Sequence, residues 1–269
     1  MSANPSTLWT IAGSDSGGGA GLQADLQVFR AFGHHGCSIT TAITAQNTLG
    51  VQQIEAVSPS LIQAQWQSLH HDLPPACIKT GMLGDAVETI ADLLDTRPAT
   101  PLICDPVLRA TSGPPLLAPH QLETLRQRIL PRTTLITPNL PEAAQLTGLP
   151  SATPSAYADA LLQLGAPAVL IKGGHAPGNI CSDFYADAHT RFQLESPRIN
   201  TPATHGTGCL LAAAIAAALA NKQLLTDAII TAKTYLNQNL HEAHSLGNGH
   251  GPLPFPPPCN AHQYQPNIC

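Results

Sequence analysis

A chain of 269 residues with 43% hydrophobic side chains can bury a large core, and a single α/β domain of this size is ordinary. Charged residues make up only 11%, the formal net charge is −5 and no basic run occurs, which speaks against nucleic acid or an anionic membrane as a partner. The seven cysteines are scattered and never form Cys-x-x-Cys, so reduced thiols of a cytoplasmic protein are expected rather than a disulfide framework or a zinc site.

Met1–Thr7 lacks the basic-then-apolar order of a signal peptide. From there, short β-branched runs alternate with Ala/Leu/Gln-rich stretches. Strands are predicted at Leu8–Ala12, Ser38–Thr44, Ile78–Thr80, Leu102–Asp105, Thr134–Thr137 and Ala168–Lys172. Helices are predicted between them at Ala20–Phe32, Pro59–His71, Ala86–Leu94, His120–Leu130 and Ser155–Leu164, with Ser58 as an N-cap before Pro59. This alternation implies a mostly parallel sheet with helices on both faces and ligands at the carboxyl ends of the strands. Cys181–Ala186 and Thr190–Leu194 read as an antiparallel hairpin added to the sheet. Two helices follow at about 209–221 and 226–245, and the Pro-rich tail Gly247–Cys269 reads as an irregular surface segment. The apolar stretch Leu210–Ala220 is too short to span a bilayer. With no internal repeat and no long linker, one domain is expected.

Four segments carry chemistry. His205-Gly206-Thr207-Gly208-Cys209 opens into an Ala-rich helix. Its glycines and the helix N-terminus suit an anion, a transferring phosphoryl group in particular, although many αβ loops look alike. Cys209 in the first helical turn is either an inert thiol or one whose pKa the helix terminus lowers toward a thiolate. Gly13–Gly21 follows the first strand and matches neither a Walker loop nor a dinucleotide fingerprint, but it suits close approach to a small ligand. Asp25 on the next helix either faces that ligand or is solvated. Asn139 and Glu142, three apart at a helix start, either hold a hydrated Mg²⁺ near phosphates or form an ordinary helix beginning with Pro141 in the first turn. Lys172, before Gly173-Gly174-His175, ends a strand where it can reach phosphate oxygens, and Asp105 also ends a strand.

The stretches IAGSDSGGGAGLQADL (11–26), TAITAQNTLGV (41–51), IKTGMLGD (78–85), CDPVLRATSG (104–113), LITPNLPEAAQLTG (135–148), VLIKGGH (169–175), THGTGC (204–209) and GNGHGP (247–252) cover essentially the whole chain. Together the chain resembles the hydroxymethylpyrimidine/phosphomethylpyrimidine kinase family of the ribokinase superfamily. The resemblance implies a three-layer α/β/α fold and transfer from ATP, with Mg²⁺, to the hydroxymethyl oxygen of 4-amino-5-hydroxymethyl-2-methylpyrimidine. A second transfer would give the diphosphate for thiamine synthesis. It assigns Gln46 to the pyrimidine edge, Gly13 and Asp25 to the substrate region, and Met82 and Val107 to packing on the ring. Asn139 and Lys172 go to the nucleotide phosphates, Glu142 and Asp105 to the metal, and Gly206, Thr207, Gly208 and Cys209 to the anion hole. Cys209 stands where most of the superfamily has an aspartate base. A homodimer is also implied.

Leu108-Arg109 stands where the family usually has Met and a small apolar residue, and Arg109 reads as an added phosphate contact or a surface substitution. Two alternatives stand beside the pyrimidine kinase. One is a kinase for pyridoxine, pyridoxal or pyridoxamine, whose rings also carry a hydroxymethyl group. The other is a non-catalytic vitamin-precursor binding module, against which the complete phosphate set counts. The Arg109–Pro115 stretch and the hairpin loop are the candidates for closing over the site.

Overall fold

The apolar runs of the sequence are buried on both sides, as strands of a covered parallel sheet must be. In the computed structural model, which describes residues 5–96, 100–109, 116–174, 178–259 and 261–269, the strands are β1 (Thr7–Asp15), β2 (His35–Asn47), β3 (Gly50–Ala56), β4 (Cys77–Thr80), β5 (Leu102–Cys104), β6 (Leu135–Ile136), β7 (Ala168–Ile171), β8 (Ile180–Asp187), β9 (Arg191–Pro197) and β10 (Asn267–Ile268). The helices are α1 (Gly21–Ala31), α2 (Pro59–Asp72), α3 (Val87–Asp95), α4 (Pro119–Thr124), α5 (Leu140–Thr147), α6 (Pro154–Gln163), α7 (Thr207–Ala220) and α8 (Leu225–His241). The described strands form one sheet in the order β10-β9-β8-β7-β6-β5-β4-β1-β2-β3. The run from β7 to β2 is parallel, and β3, β8, β9 and β10 are antiparallel additions at the two edges.

Alternation along the strands divides the core in two. Trp9, Ile11, Ile78, Leu102, Ile136 and Val169 pack on one face with α2, α3, α5 and α6. Leu8, Ile103, Leu135 and Leu170 pack on the other with α1, α7 and α8. The three-layer ribokinase-like arrangement expected from the sequence is therefore present. Helix α7 lies deep in it: every residue from Leu210 to Ala218 is buried. Its run of alanines lets α1, α8 and the sheet approach closely.

Local chemistry sets most boundaries. Ser58 Oγ accepts from the Leu61 N–H and Thr153 Oγ1 from the Ala156 N–H, with Pro59 and Pro154 in the first turns of α2 and α6.

Several expectations need correction. Strand β2 is nearly twice the length expected, and β3 was not anticipated at all. Most of β3 is solvent-exposed, so it shows no apolar alternation. The helix expected over His120–Leu130 starts as α4, widens to a π turn at Leu125–Ile129 and tightens to a 3₁₀ turn at Leu130–Arg132, because Pro131 cannot continue an α-helical ladder.

The tail is not simply an irregular surface segment. Asn267–Ile268 pairs with β9, and Leu253 and Tyr264 are buried. Side chains of α8 hold it: Asn239 Oδ1 accepts from the Phe255 N–H, Gln238 Oε1 accepts from the Cys259 N–H, and Asn237 Nδ2 donates to the Tyr264 carbonyl. A proline-rich backbone cannot pair with itself, so these buried amides satisfy its polar groups.

Enlarging a side chain in α7 tests how tightly this layer is packed. Ala214→Leu should lower stability by about 1–3 kcal/mol, the usual cost of overpacking a filled core, read as a lower urea midpoint at unchanged slope.

Candidate active site

Strand order reverses between β1 and β4, since β2 lies to one side of β1 and β4 to β7 lie to the other. Such a reversal opens a crevice at the carboxyl ends of the strands. Gly13 and Met82 meet there, and a Cβ on Gly13 would run into the Met82 methyl. Val107 is half-buried just beyond the end of β5.

Helix α7 begins at Gly206 with φ +81° and no side-chain cap. A Cβ at Gly206 would strike the Gly19 carbonyl oxygen, so glycine is needed both for the left-handed backbone and for the contact. The first-turn N–H groups of this 14-residue helix therefore have no side-chain acceptor from its N-cap, at the helix's positive end. Gly208 lies against an ion pair: Lys172 Nζ is 2.6 Å from Asp105 Oδ1, and a Cβ on Gly208 would sit 3.1 Å from Lys172 Nζ and 3.4 Å from Asp105 Oδ2. Burial opposes the charge on Lys172, but Asp105 and Glu142 outweigh it and hold the ammonium above its ordinary pKa. The structure thus brings Gly206, Thr207, Gly208, Lys172 and Asp105 together.

Asn139 and Glu142 form a reciprocal cap on α5. Asn139 Oδ1 accepts from the Glu142 N–H at 2.9 Å, and Glu142 Oε2 accepts from the Asn139 N–H at 2.8 Å. The ordinary helix start is realised, yet Glu142 is also buried beside the Lys172 pair. Burial pushes its carboxyl up to about 7, with Lys172 working the other way. Among the described residues no group of three or more His, Cys, Asp or Glu side chains gathers as a metal centre.

Asp25 is neither solvated nor open to the crevice. It is fully buried, 2.8 Å from the equally buried Lys79 Nζ, and accepts from Thr10 Oγ1 at 2.5 Å. Burial works against the charge of Lys79, but Asp25, Cys209 and Asp105 outweigh it and keep the ammonium protonated.

Cys209 is half-buried and within electrostatic reach of this cation. The expectation that the helix terminus lowers its pKa is overturned: burial is the largest influence and pushes the thiol up to about 11, with Lys79 opposing. At neutral pH it is a thiol.

Asp15 and His205 lie within two of the segments singled out in the sequence but carry no role of their own there, and Lys79 is not singled out. Asp15 Oδ1 accepts from the Gly17 N–H, and Oδ2 accepts from the Gly19 and Ala20 N–H groups and from His205 Nε2. Burial raises its pKa, but His205 and these backbone donors outweigh that and hold it below the ordinary carboxylate range. One end of the Gln46 amide lies 3.1 Å from His205 Nε2, tying the end of β2 to the start of α7. A lysine inside the short buried strand Cys77–Thr80 was the available signal for Lys79; the glycine-rich segments mark the places of the other two, but nothing local shows that they pair. Arg109 is exposed. His175 and residues 110–115, which include most of one stretch expected to close over the site, lie outside the described residues.

Residues 15–254 match the family described as phosphomethylpyrimidine kinase. The hydroxymethylpyrimidine/phosphomethylpyrimidine kinase of Haemophilus influenzae is 44% identical over 93% of this chain and 96% of its own length. The Staphylococcus aureus pyridoxal kinase, solved in complex with AMP-PCP and pyridoxal, superposes with a TM-score of 0.87 at 29% identity, covering 99% of this chain and 98% of that one. The phosphomethylpyrimidine kinase of Clostridium difficile gives a TM-score of 0.76 at 36% identity, covering 87% of this chain and 98% of that one. On a match that spans most of its length, this chain belongs to the phosphomethylpyrimidine kinase family.

Proposed function

We propose that this chain transfers the γ-phosphoryl group of ATP to the hydroxymethyl oxygen of 4-amino-5-hydroxymethyl-2-methylpyrimidine, and a second phosphoryl group to the resulting monophosphate, in thiamine biosynthesis. The observation that carries this is the start of α7, without a side-chain cap, set against Lys172 at a strand-order reversal. The name of the Haemophilus influenzae relative supports the acceptor, and the thiamine biosynthesis bifunctional protein of Geobacter sulfurreducens, 41% identical over 92% of this chain, supports the pathway.

In the transfer, the hydroxymethyl oxygen forms a bond to the γ-phosphorus as the bond to the β,γ-bridging oxygen breaks, and ADP leaves. The N–H groups of Thr207, Gly208 and Cys209 receive the charge on the phosphoryl oxygens, and Lys172 neutralises it further. Gln46 holds the ring edge, and Gly13, Met82 and Val107 leave space for the ring and pack on it. Asp25 acts indirectly, fixing Lys79 within electrostatic reach of Cys209. Because Cys209 rests as a thiol, it is a weak proton acceptor. In a loose transition state the hydroxyl proton leaves late and can pass to a phosphoryl oxygen, so the anion loop contributes more than the basicity of Cys209.

The donor set fits Mg²⁺: two carboxylates flank Lys172, and buried Glu142 has a proton affinity that a cation can replace. Glu142 and Asp105 would hold the ion, with Asn139 near the phosphates, and the ion would offset phosphate charge when bound. Ile43, Leu49 and Ile54, apolar and exposed on the β2–β3 ribbon, support a homodimer. The seven free thiols support a cytoplasmic setting, where they stay reduced.

Pyridoxal phosphorylation is the second reading, supported by the Staphylococcus aureus pyridoxal kinase likeness. A coupled ATPase assay with the pyrimidine, its monophosphate and pyridoxal as separate acceptors decides between them. Turnover with both pyrimidines is expected; turnover with pyridoxal alone moves the function to the second reading, and silence in every lane points to a binding module.

Two further outcomes test the role of Cys209. Cys209→Ala should lose no more than about 10⁴-fold in turnover, the upper end for general-base catalysis, and a far larger loss would reverse the ordering given above. Alkylation of Cys209 by iodoacetamide in the unliganded protein, followed by peptide mass spectrometry, should keep accelerating up to about pH 11. A plateau near neutrality would contradict the resting thiol.

A further inference from the structure

The side-chain amide of Gln46 is held at both ends. One end lies 3.1 Å from His205 Nε2 and the other 3.3 Å from Thr44 Oγ1. Oxygen and nitrogen of an amide are nearly the same size, so their places must be read from the partners.

The Thr44 hydroxyl has one hydrogen. The Ser14 carbonyl at 2.9 Å can only accept it, so Thr44 Oγ1 turns a lone pair toward Gln46 and requires an N–H there. At the other end, His205 Nε2 is 2.9 Å from Asp15 Oδ2. That carboxylate takes backbone N–H groups from Gly17, Gly19 and Ala20, a set of donors that suits only the ionised form. Its remaining neighbour must also donate, so the His205 proton sits on Nε2. Nitrogen of Gln46 toward His205 would set two donors against each other, whereas oxygen there can share the single Nε2 proton with Asp15 Oδ2 as the longer arm of a three-centre bond. Both ends give the same answer by independent routes: Gln46 Oε1 faces His205 and Gln46 Nε2 faces Thr44.

We propose that His205, locked in its Nε2–H tautomer by Asp15, is a positioning residue that fixes the amide orientation of Gln46 and thereby sets the choice between an aminopyrimidine and a pyridoxal ring. This rests on the reading of Gln46 as the group that meets the ring. With Oε1 and Nε2 each engaged once, Gln46 retains one lone pair and one N–H, presented in a fixed order. An amino group beside a ring nitrogen matches that order as donor beside acceptor. The carbons flanking the hydroxymethyl group of pyridoxal carry an aldehyde, which only accepts, and a C–H. An amide free to turn over could donate to the aldehyde; one held by His205 and Thr44 cannot do so without breaking both contacts. The loop that binds phosphate and the residue that reads the ring are thus joined through one imidazole.

Long-range proton–nitrogen correlation spectra of the full wild-type chain at neutral pH test the first link without any substitution. A proton on His205 Nε2 is expected, and a ring protonated only on Nδ1 would overturn the proposal. Kinetics test the second. His205→Gln can keep an N–H near the place of Nε2, while His205→Leu removes it.

The ratio of kcat/KM for the pyrimidine over pyridoxal should fall about tenfold in His205→Leu, the weight of one neutral hydrogen bond. The fall should come mainly through KM for the pyrimidine, and His205→Gln should restore the ratio. An unchanged ratio in His205→Leu overturns the proposal, as does an equal loss in both variants, which would mark His205 as a packing residue. Wild-type turnover of the pyrimidine in the same experiment judges the functional reading separately. Its absence would remove that reading while leaving the tautomer result to stand or fall by itself.

Discussion

Everything at the active site depends on two backbones meeting where neither has a side chain. The glycine loop after β1 and the turn that starts α7 touch at Gly19 and Gly206, and a single methyl on Gly206 would occupy the place of the Gly19 carbonyl oxygen. That contact brings two helix N-termini to one strand-order reversal, α1 from one loop and α7 from the other. Neither N-cap, Ala20 nor Gly206, caps its helix with a side chain. At the start of α1 the Asp15 carboxylate takes up the Gly19 and Ala20 N–H groups, so the positive end left without a side-chain acceptor is that of α7. The Ala-rich run of α7 serves the same end, since bulkier residues would hold its first turn away from the sheet.

The scarcity of charge in the composition takes on meaning in this setting. Three of the four lysines, Lys79, Lys172 and Lys233, are spent on largely buried ion pairs with Asp25, Asp105 and Asp183. Such pairs add little net stability, because desolvation offsets the attraction, but losing one partner is costly. Their value here is positional. Lys79 lies within electrostatic reach of Cys209 and Lys172 beside Gly208, while Asp183 joins Lys233 to the Gly173 N–H and so supports the loop that follows Lys172.

Much of this was legible in the sequence. The alternation of apolar runs and helical stretches, the Ser58 cap and the prolines at helix starts act over a few residues, so local patterns suffice to find them. The same holds for the glycine turn that starts α7, whose glycines and following helix are contiguous. Strand β3 was missed because most of it is solvated and pattern reading depends on burial. The tail was misread because its order comes from Asn237, Gln238 and Asn239 on α8, partners that its own composition does not suggest.

The sequence by itself determined the layers, the mostly parallel order implied by alternating elements, and the segments that collect at the strand ends. It did not determine the state of the groups within them. Cys209 stands at a helix N-terminus, which by local reasoning favours a thiolate, yet burial against Asp25 and Asp105 pushes it to the thiol. Glu142 caps its own helix as local rules require, while its raised proton affinity comes from burial. His205 and Asp15 are 190 positions apart and meet at 2.9 Å. Proton affinities and hydrogen-bond directions follow from distance and desolvation in space, so only the tertiary structure, by bringing remote residues into contact and excluding water between them, could decide them.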